Sequence, residues 1–176
     1  HLSQCYFSEN GSAASGGGMF NTASSAPILE ECSFSENGTA TGKSVNFYGA
    51  GIFNTASSPT LTDCDFTNNE GHSDGAGMYN YAGAAPHLDS CTFDGNVTTY
   101  GGGGMYNNAS SPVLADCTFS NNTMINVRNG GAIVNTGSAA QPIFTACTFD
   151  SNIALQYGGA VSNEAGAAPT FRNCTF

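Results

Sequence analysis

A parallel β-helix, an all-β solenoid of about six coils with roughly 27 residues to the coil, is the fold class that this sequence predicts. Three observations predict it: a Cys-x-Phe triplet recurs seven times, a glycine-rich tetrad recurs between the triplets, and length variation gathers at one point of the unit. The cysteines are Cys5, Cys32, Cys64, Cys91, Cys117, Cys147 and Cys174, and the phenylalanines two places on are Phe7, Phe34, Phe66, Phe93, Phe119, Phe149 and Phe176. Three residues after each Phe but the last stands Asn: Asn10, Asn37, Asn69, Asn96, Asn122 and Asn152. The tetrads run from Gly16-Gly-Gly-Met19 and Gly49-Ala-Gly-Ile52 to Gly130-Gly-Ala-Ile133 and Gly158-Gly-Ala-Val161. A second Asn follows each tetrad by two places (Asn21, Asn54, Asn80, Asn107, Asn135, Asn163), and a Pro then precedes the next Cys.

The step from the Met/Ile/Val position to the next Cys is 12 to 14 residues, whereas the step from the Asn after Phe to the next tetrad apolar residue ranges from 9 to 15. Stacked strands that must hold register while one corner carries loops behave in this way. Each unit has two Gly/Pro-bounded segments too short for stable helices. In Cys-Thr-Phe the apolar residues fall at i and i+2, the period of a strand with one buried face. The spacing Leu29-x-x-Cys32 breaks that period, so a bend or bulge is expected before each Cys. One coil is then two or three short strands, and coils about 4.8 Å apart give a rod roughly 30 Å long.

Gly-Met-Tyr-Asn must place one of Met and Tyr inward and the other outward. The Met/Ile/Val column stays apolar in every unit, whereas its neighbour runs Phe20, Phe53, Tyr79, Tyr106, Val134, Ser162 and ends polar. We therefore place Met/Ile/Val inside, which leaves Phe20, Phe53, Tyr79 and Tyr106 as an exposed aromatic stripe and candidate contact surface; the alternative makes the aromatic column the core. Phe and Leu/Phe columns form the dry core. Inward Asn at a bend satisfies buried backbone and the Asn above it, and both Asn columns fit that role. Glycine before Met supplies positive φ or close packing. Asn-x-Ser/Thr sequons occur at Asn10, Asn37, Asn96, Asn108, Asn121 and Asn173, mostly in or beside these ladders.

Composition narrows the partners. Three basic and 13 acidic residues give a net charge of −10, which argues against nucleic acid, since phosphate binding needs a basic surface. No apolar run approaches the roughly 18 residues of a membrane span. The 23 Gly and 19 Asn disfavour helix. Seven cysteines with no Cys-x-x-Cys pair disfavour a closed zinc site. Stacked cysteines have parallel Cβ directions and an odd number cannot pair completely, so a ladder of free, buried thiols is expected rather than disulfides. No cofactor and no metal is called for.

Phe119-Ser-Asn-Asn122 with Gly130-Gly-Ala-Ile133, and Phe149-Asp-Ser-Asn152 with Gly158-Gly-Ala-Val161, resemble the repeats of the chlamydial polymorphic outer-membrane proteins. The pattern is also similar to a wider set of bacterial surface and secreted proteins with right-handed parallel β-helix repeats. The other units depart by Met for Ile and Gly for Ala. The resemblance spans the chain and implies a right-handed coil, surface display, adhesion or a fibre stalk; it transfers no catalytic residue.

The function these features suggest is a non-enzymatic structural or adhesive rod, extracellular or at the cell surface, forming one β-helix domain over residues 1–176. The chain opens at His1 and stops at Phe176, six repeats plus a terminal strand, which reads as part of a longer array or a subunit that stacks into a filament. Partners are then further copies, head to tail or side by side, or a glycan or host-cell surface. Lys43 and Arg128, in the two longest insertions, are the loop-borne contact candidates. A polysaccharide-binding or polysaccharide-degrading β-helix is the rival. Catalysis needs a non-repeated acid cluster, and the nearest approach is Glu31, Asp63 and Asp116 in the column before Cys, which Gln4, Ser90, Ala146 and Asn173 interrupt. A calcium site there, or an ice-binding array of Thr92, Thr118, Thr148 and Thr175, is weaker still, the latter broken by Asp65, Ser33 and Tyr6.

Overall fold

The computed structural model describes residues 1–39, 48–126 and 129–176. Lys43 and Arg128 lie outside the described residues. All strand pairing is parallel, and each strand pairs with its equivalents one coil away. Four sheets result. A leucine sheet stacks seven strands from Leu2–Ser3 to Thr170–Arg172, and a phenylalanine sheet stacks six from Tyr6–Ser8 to Thr148–Asp150. A third sheet holds two-residue strands such as Glu70–Gly71, and a methionine sheet runs from Met19–Asn21 to Val161–Glu164. Each coil therefore carries up to four strands, not two or three. The extra strand is the pair of residues after Phe-x-x-Asn, where the backbone still pairs with neighbouring coils before the insertion begins.

Register places like on like: Phe66 pairs with Phe34 and Phe93, Leu88 with Leu61 and Leu114, and Met78 with Ile52 and Met105. The expected bend before Cys is a left-handed corner. Gln4, Glu31, Asp63, Ser90, Asp116, Ala146 and Asn173 all have φ between 50° and 54°. That conformation costs a non-glycine residue about 1–2 kcal/mol, and the corner offsets it by keeping the coil-to-coil bonds unbroken. Glu31, Asp63 and Ser90 each donate their backbone N–H to a carbonyl of the next coil at 3.0 Å. A second left-handed corner precedes Asn at Glu9, Glu36, Asn68, Gly95, Asn121 and Ser151.

Inside, the phenylalanine rings stack with centroids 4.5–5.3 Å apart and planes within 10° of parallel. Leu29, Leu61 and Leu114 and the cysteines between Cys32 and Cys147 complete the core. The tetrad glycines do both jobs expected of them. Gly75 has φ +64°, while Gly77 lies so close to the Phe93 ring that a Cβ there would stand 2.8 Å from Cδ1.

The Asn column after Phe is bonded in one direction throughout. Asn96 Oδ1 accepts from Asn69 N at 3.1 Å and from Asn69 Nδ2 at 2.8 Å, while Asn96 Nδ2 donates to Asn122 Oδ1 and the Phe66 carbonyl, both at 2.9 Å. Both amide protons and the carbonyl are thus used, in a side chain with no exposed surface. The second column (Asn21, Asn54, Asn80, Asn107, Asn135, Asn163) faces inward from within the methionine strands rather than at a bend, bonded Nδ2 to Oδ1 at 2.8–2.9 Å. The sequons at Asn37 and Asn96 fall on buried ladder residues, so their amides face no modifying enzyme in the folded chain.

Replacing Asn96 by Ala leaves the Phe66 carbonyl and the Asn69 amide without their partners, and each buried orphan costs about 1–3 kcal/mol. Asn96→Ala is expected to destabilise the chain by about 3–5 kcal/mol in denaturant unfolding, whereas Thr60→Ala, on the outer face of the leucine sheet, should change it by less than about 0.5 kcal/mol.

Candidate functional site

With the interior filled by repeated side chains, any contact chemistry belongs to the outward faces. The methionine sheet has the most structured one. Its inward residues Ile52, Met78, Met105 and Ile133 are fully buried, and the neighbouring column points the other way. That outward column stacks: Phe20 on Phe53 at 5.1 Å, Phe53 on Tyr79 at 5.4 Å and Tyr79 on Tyr106 at 5.2 Å, with planes within 6°.

The structure corrects the expected exposure of this stripe. Only Phe20 is open, at 52%; Phe53 and Tyr79 retain 9% and 4%, and Tyr106 is half-buried. The glycine turns between coils fold back over the outer side of the sheet, so Gly75 and Gly101 lie against Tyr106, and Gly101 and Gly130 against Val134. Tyr48 does the same in the longest insertion, its ring 4.4 Å from that of Tyr79 and tilted by 32°. Burial draws the Tyr79 phenol well above the ordinary tyrosine range, with the nearby Asn108 amide acting the other way.

A cleft of about 350 Å³ remains among Tyr48, Phe53, Tyr79, Tyr81 and Asn108. Sequence reasoning found Phe53 and Tyr79 and missed the other three. Tyr81 and Asn108 were within reach, since period two puts Tyr81 on the side of Tyr79 and register puts Asn108 beside it. Tyr48 carries no repeat signal.

A second, smaller cleft of about 140 Å³ lies further along the outer face of the same sheet, where Asp74, Tyr106, Asn129 and Glu164 meet. There Glu164 Oε1 accepts from Asn129 Nδ2 at 2.9 Å and Ser162 Oγ at 3.0 Å. The carboxylates of the column before Cys are elsewhere. Glu31, Asp63 and Asp116 occupy the exposed left-handed corners, and Glu31 Oε2 accepts from Gln4 Nε2 at 2.8 Å. Among the described residues, no three His, Cys, Asp or Glu side chains gather in a metal-binding group. No helix among them is long and apolar enough to cross a membrane.

The seven cysteines form one file, all as free thiols. Each Sγ sits near the carbonyl two residues back, as Cys64 does to Thr62 at 3.3 Å and Cys117 to Ala115 at 3.2 Å. Burial raises Cys32, while hydrogen bonding between successive thiols, reinforced by burial, raises Cys64, Cys91 and Cys117; Cys147, at the receiving end of the Cys117 bond, moves down.

A stack of parallel strands wound in four sheets around a dry core with asparagine ladders defines a parallel β-solenoid. The chain matches the model of the right-handed beta helix region over residues 1–99 and again over residues 43–176. It belongs to that family. No curated protein and no solved structure matched the chain.

The folded state holds the raised thiol protons of Cys32, Cys64, Cys91 and Cys117 more tightly than the unfolded chain does. Their contribution is whole below the ordinary thiol value of 9.0 and is lost as pH climbs beyond it. Stability measured by denaturant should therefore hold up to about pH 9 and decline from there towards about pH 12. In native buffer, iodoacetamide should reach the half-buried Cys5 and Cys174 first and leave Cys32, Cys64, Cys91 and Cys117 unmodified until denaturant is added, as read by mass spectrometry of peptides.

Proposed function

We propose that this chain is a structural and adhesive rod, without enzymatic activity, that works outside the cell or on its surface. The observation that carries the reading is the uniform use of the interior. On coil after coil like side chains fill the same inward columns, bonded to or stacked on their equivalents in the neighbouring coils, so the coil stack supplies length and stiffness and leaves the outer faces for contact. The literal Phe-x-x-Asn and Gly-Gly-Ala-Ile/Val units, which resemble those of chlamydial polymorphic outer-membrane proteins, support surface display. The strong acidic balance suits a solvent-facing rod and repels anionic partners. Parallel strands at the ends of such a stack can pair with further coils, either of a longer array or of another copy.

Electron microscopy of the purified chain, with glycan-degradation assays on the same sample, tests this. Particles that lengthen by end-to-end addition, or bind to cell surfaces without releasing sugar products, are the expected result. Turnover of any polysaccharide by the chain would overturn the non-enzymatic reading.

A further inference from the structure

The cleft on the methionine sheet differs from the rest of the surface in its make-up. Two outward columns meet there. One is the stacked aromatic file; the other, two residues further along each strand, runs Thr55, Tyr81, Asn108, Thr136 and Glu164 in strict register. Tyr81 is thus the one aromatic in a polar column, flanked by Thr55 and Asn108. Its ring stands 6.4 Å from that of Tyr79 at 41°, and it keeps 45% of its surface exposed. Tyr48 leans in from the opposite side, tilted by 32° to Tyr79 and, likewise, to Phe53.

The floor of the cleft is made of the edges of Phe53 and Tyr79, which stacking holds rigid. The two inclined tyrosines are its walls. Asn108 Nδ2 donates to Tyr79 Oη at 3.4 Å, so an amide and a phenol meet at the rim. None of the five lining residues carries a charge, in a protein whose net charge is −10. At about 350 Å³ the cleft lies at the small end of the range for small-molecule sites, about 300–1,000 Å³.

An uncharged cleft with rigid aromatic walls and a hydroxyl-and-amide rim matches a ligand that is flat and apolar on one side and ringed with hydroxyls. A pyranose has that form. A cationic ligand would want a carboxylate beside the rings or ring faces on several sides, and the faces of Phe53 and Tyr79 are taken up by stacking. An anionic sugar would meet the net negative field with no cation in the lining.

We propose that this cleft binds a neutral hexose unit of a glycan, with Tyr81 and Tyr48 against the apolar face of the ring and with Asn108 and the tyrosine hydroxyls at its hydroxyl groups. The inference gives the adhesive reading a ligand class and rests on that reading for its biological sense. Tyr81 is the anchoring residue, since among the lining residues it combines an exposed ring with polar neighbours, Thr55 and Asn108, on either side in its column.

Isothermal titration of the intact chain with a panel of neutral tetrasaccharides (gluco-, manno-, galacto- and xylo-configured), with tetragalacturonate and with choline tests the proposal. At least one neutral hexose oligomer should bind with Kd near or below about 1 mM. Tyr81→Ala should weaken it at least about tenfold and Asn108→Ala by several-fold. Tyr6→Ala, at another exposed tyrosine on the phenylalanine sheet, should leave it unchanged. Unaltered thermal unfolding of Tyr81→Ala would show that lost binding is not lost folding. The proposal is overturned if no neutral hexose oligomer binds, if only tetragalacturonate or choline binds, or if Tyr81→Ala binds like the parent chain. A chain that binds no sugar yet still adds end to end or adheres to cells loses this ligand and keeps the rod; one that binds and cleaves the sugar keeps the cleft and loses the non-enzymatic reading.

Discussion

Backbone hydrogen bonds tie every coil to the next, and they continue through the corners as well as along the strands. That continuity forces each residue to lie over its equivalent one coil away, and the other features follow from it. A one-residue slip would turn Phe93 outward and Thr92 inward along the whole sheet. It also settles how polar side chains can live inside. An isolated buried amide needs a partner of fitting shape, and in a coil stack the only partner always at hand is the same residue above or below. Asparagine in the core is therefore stable as a column, since Asn69, Asn96 and Asn122 satisfy one another and the intervening phenylalanine carbonyls.

The corners show what that constraint demands of the backbone. Left-handed residues at the two corners on either side of the phenylalanine strand turn the chain without breaking the ladder, and these positions are filled by Glu, Asp, Asn, Ser, Gln and Ala as well as Gly. Residue type there is loose because the side chain points to solvent and the coil-to-coil bond, not a local preference, holds φ positive. The exposed carboxylates Glu31, Asp63 and Asp116 follow from the same geometry: they share a column because they share a corner.

The rod and its contact chemistry are separable in this architecture. The ladders build a support whose interior is indifferent to any ligand, while the segment between the third sheet and the methionine sheet varies in length without disturbing register. Tyr48 belongs to such a segment. It reaches the outward face of Phe53 and Tyr79 from outside the repeat, so a non-repeated feature is set on a repeated framework. Contact chemistry on a solenoid is expected where the repeat is broken, because a feature shared by every coil distinguishes none of them.

The recurring Cys-x-Phe, Phe-x-x-Asn and glycine tetrads by themselves determined the coil, its length, its inward columns and the place of its insertions, because stacking converts sequence periodicity directly into spatial alignment. The broken Leu-x-x-Cys spacing likewise showed where the chain must turn, though not that a left-handed residue turns it. The fate of the aromatic file was decided only by the tertiary structure. Period two says that Tyr79 points away from Met78; it does not say that the glycine turns and Tyr48 fold over the outer side of the sheet, leaving Phe20 open and Tyr79 covered. The cleft depends on the same fold-back, since it joins residues 33 and 60 positions apart, Tyr48 with Tyr81 and Asn108, whose proximity comes from the stacking of three coils and from an insertion that no periodic signal describes.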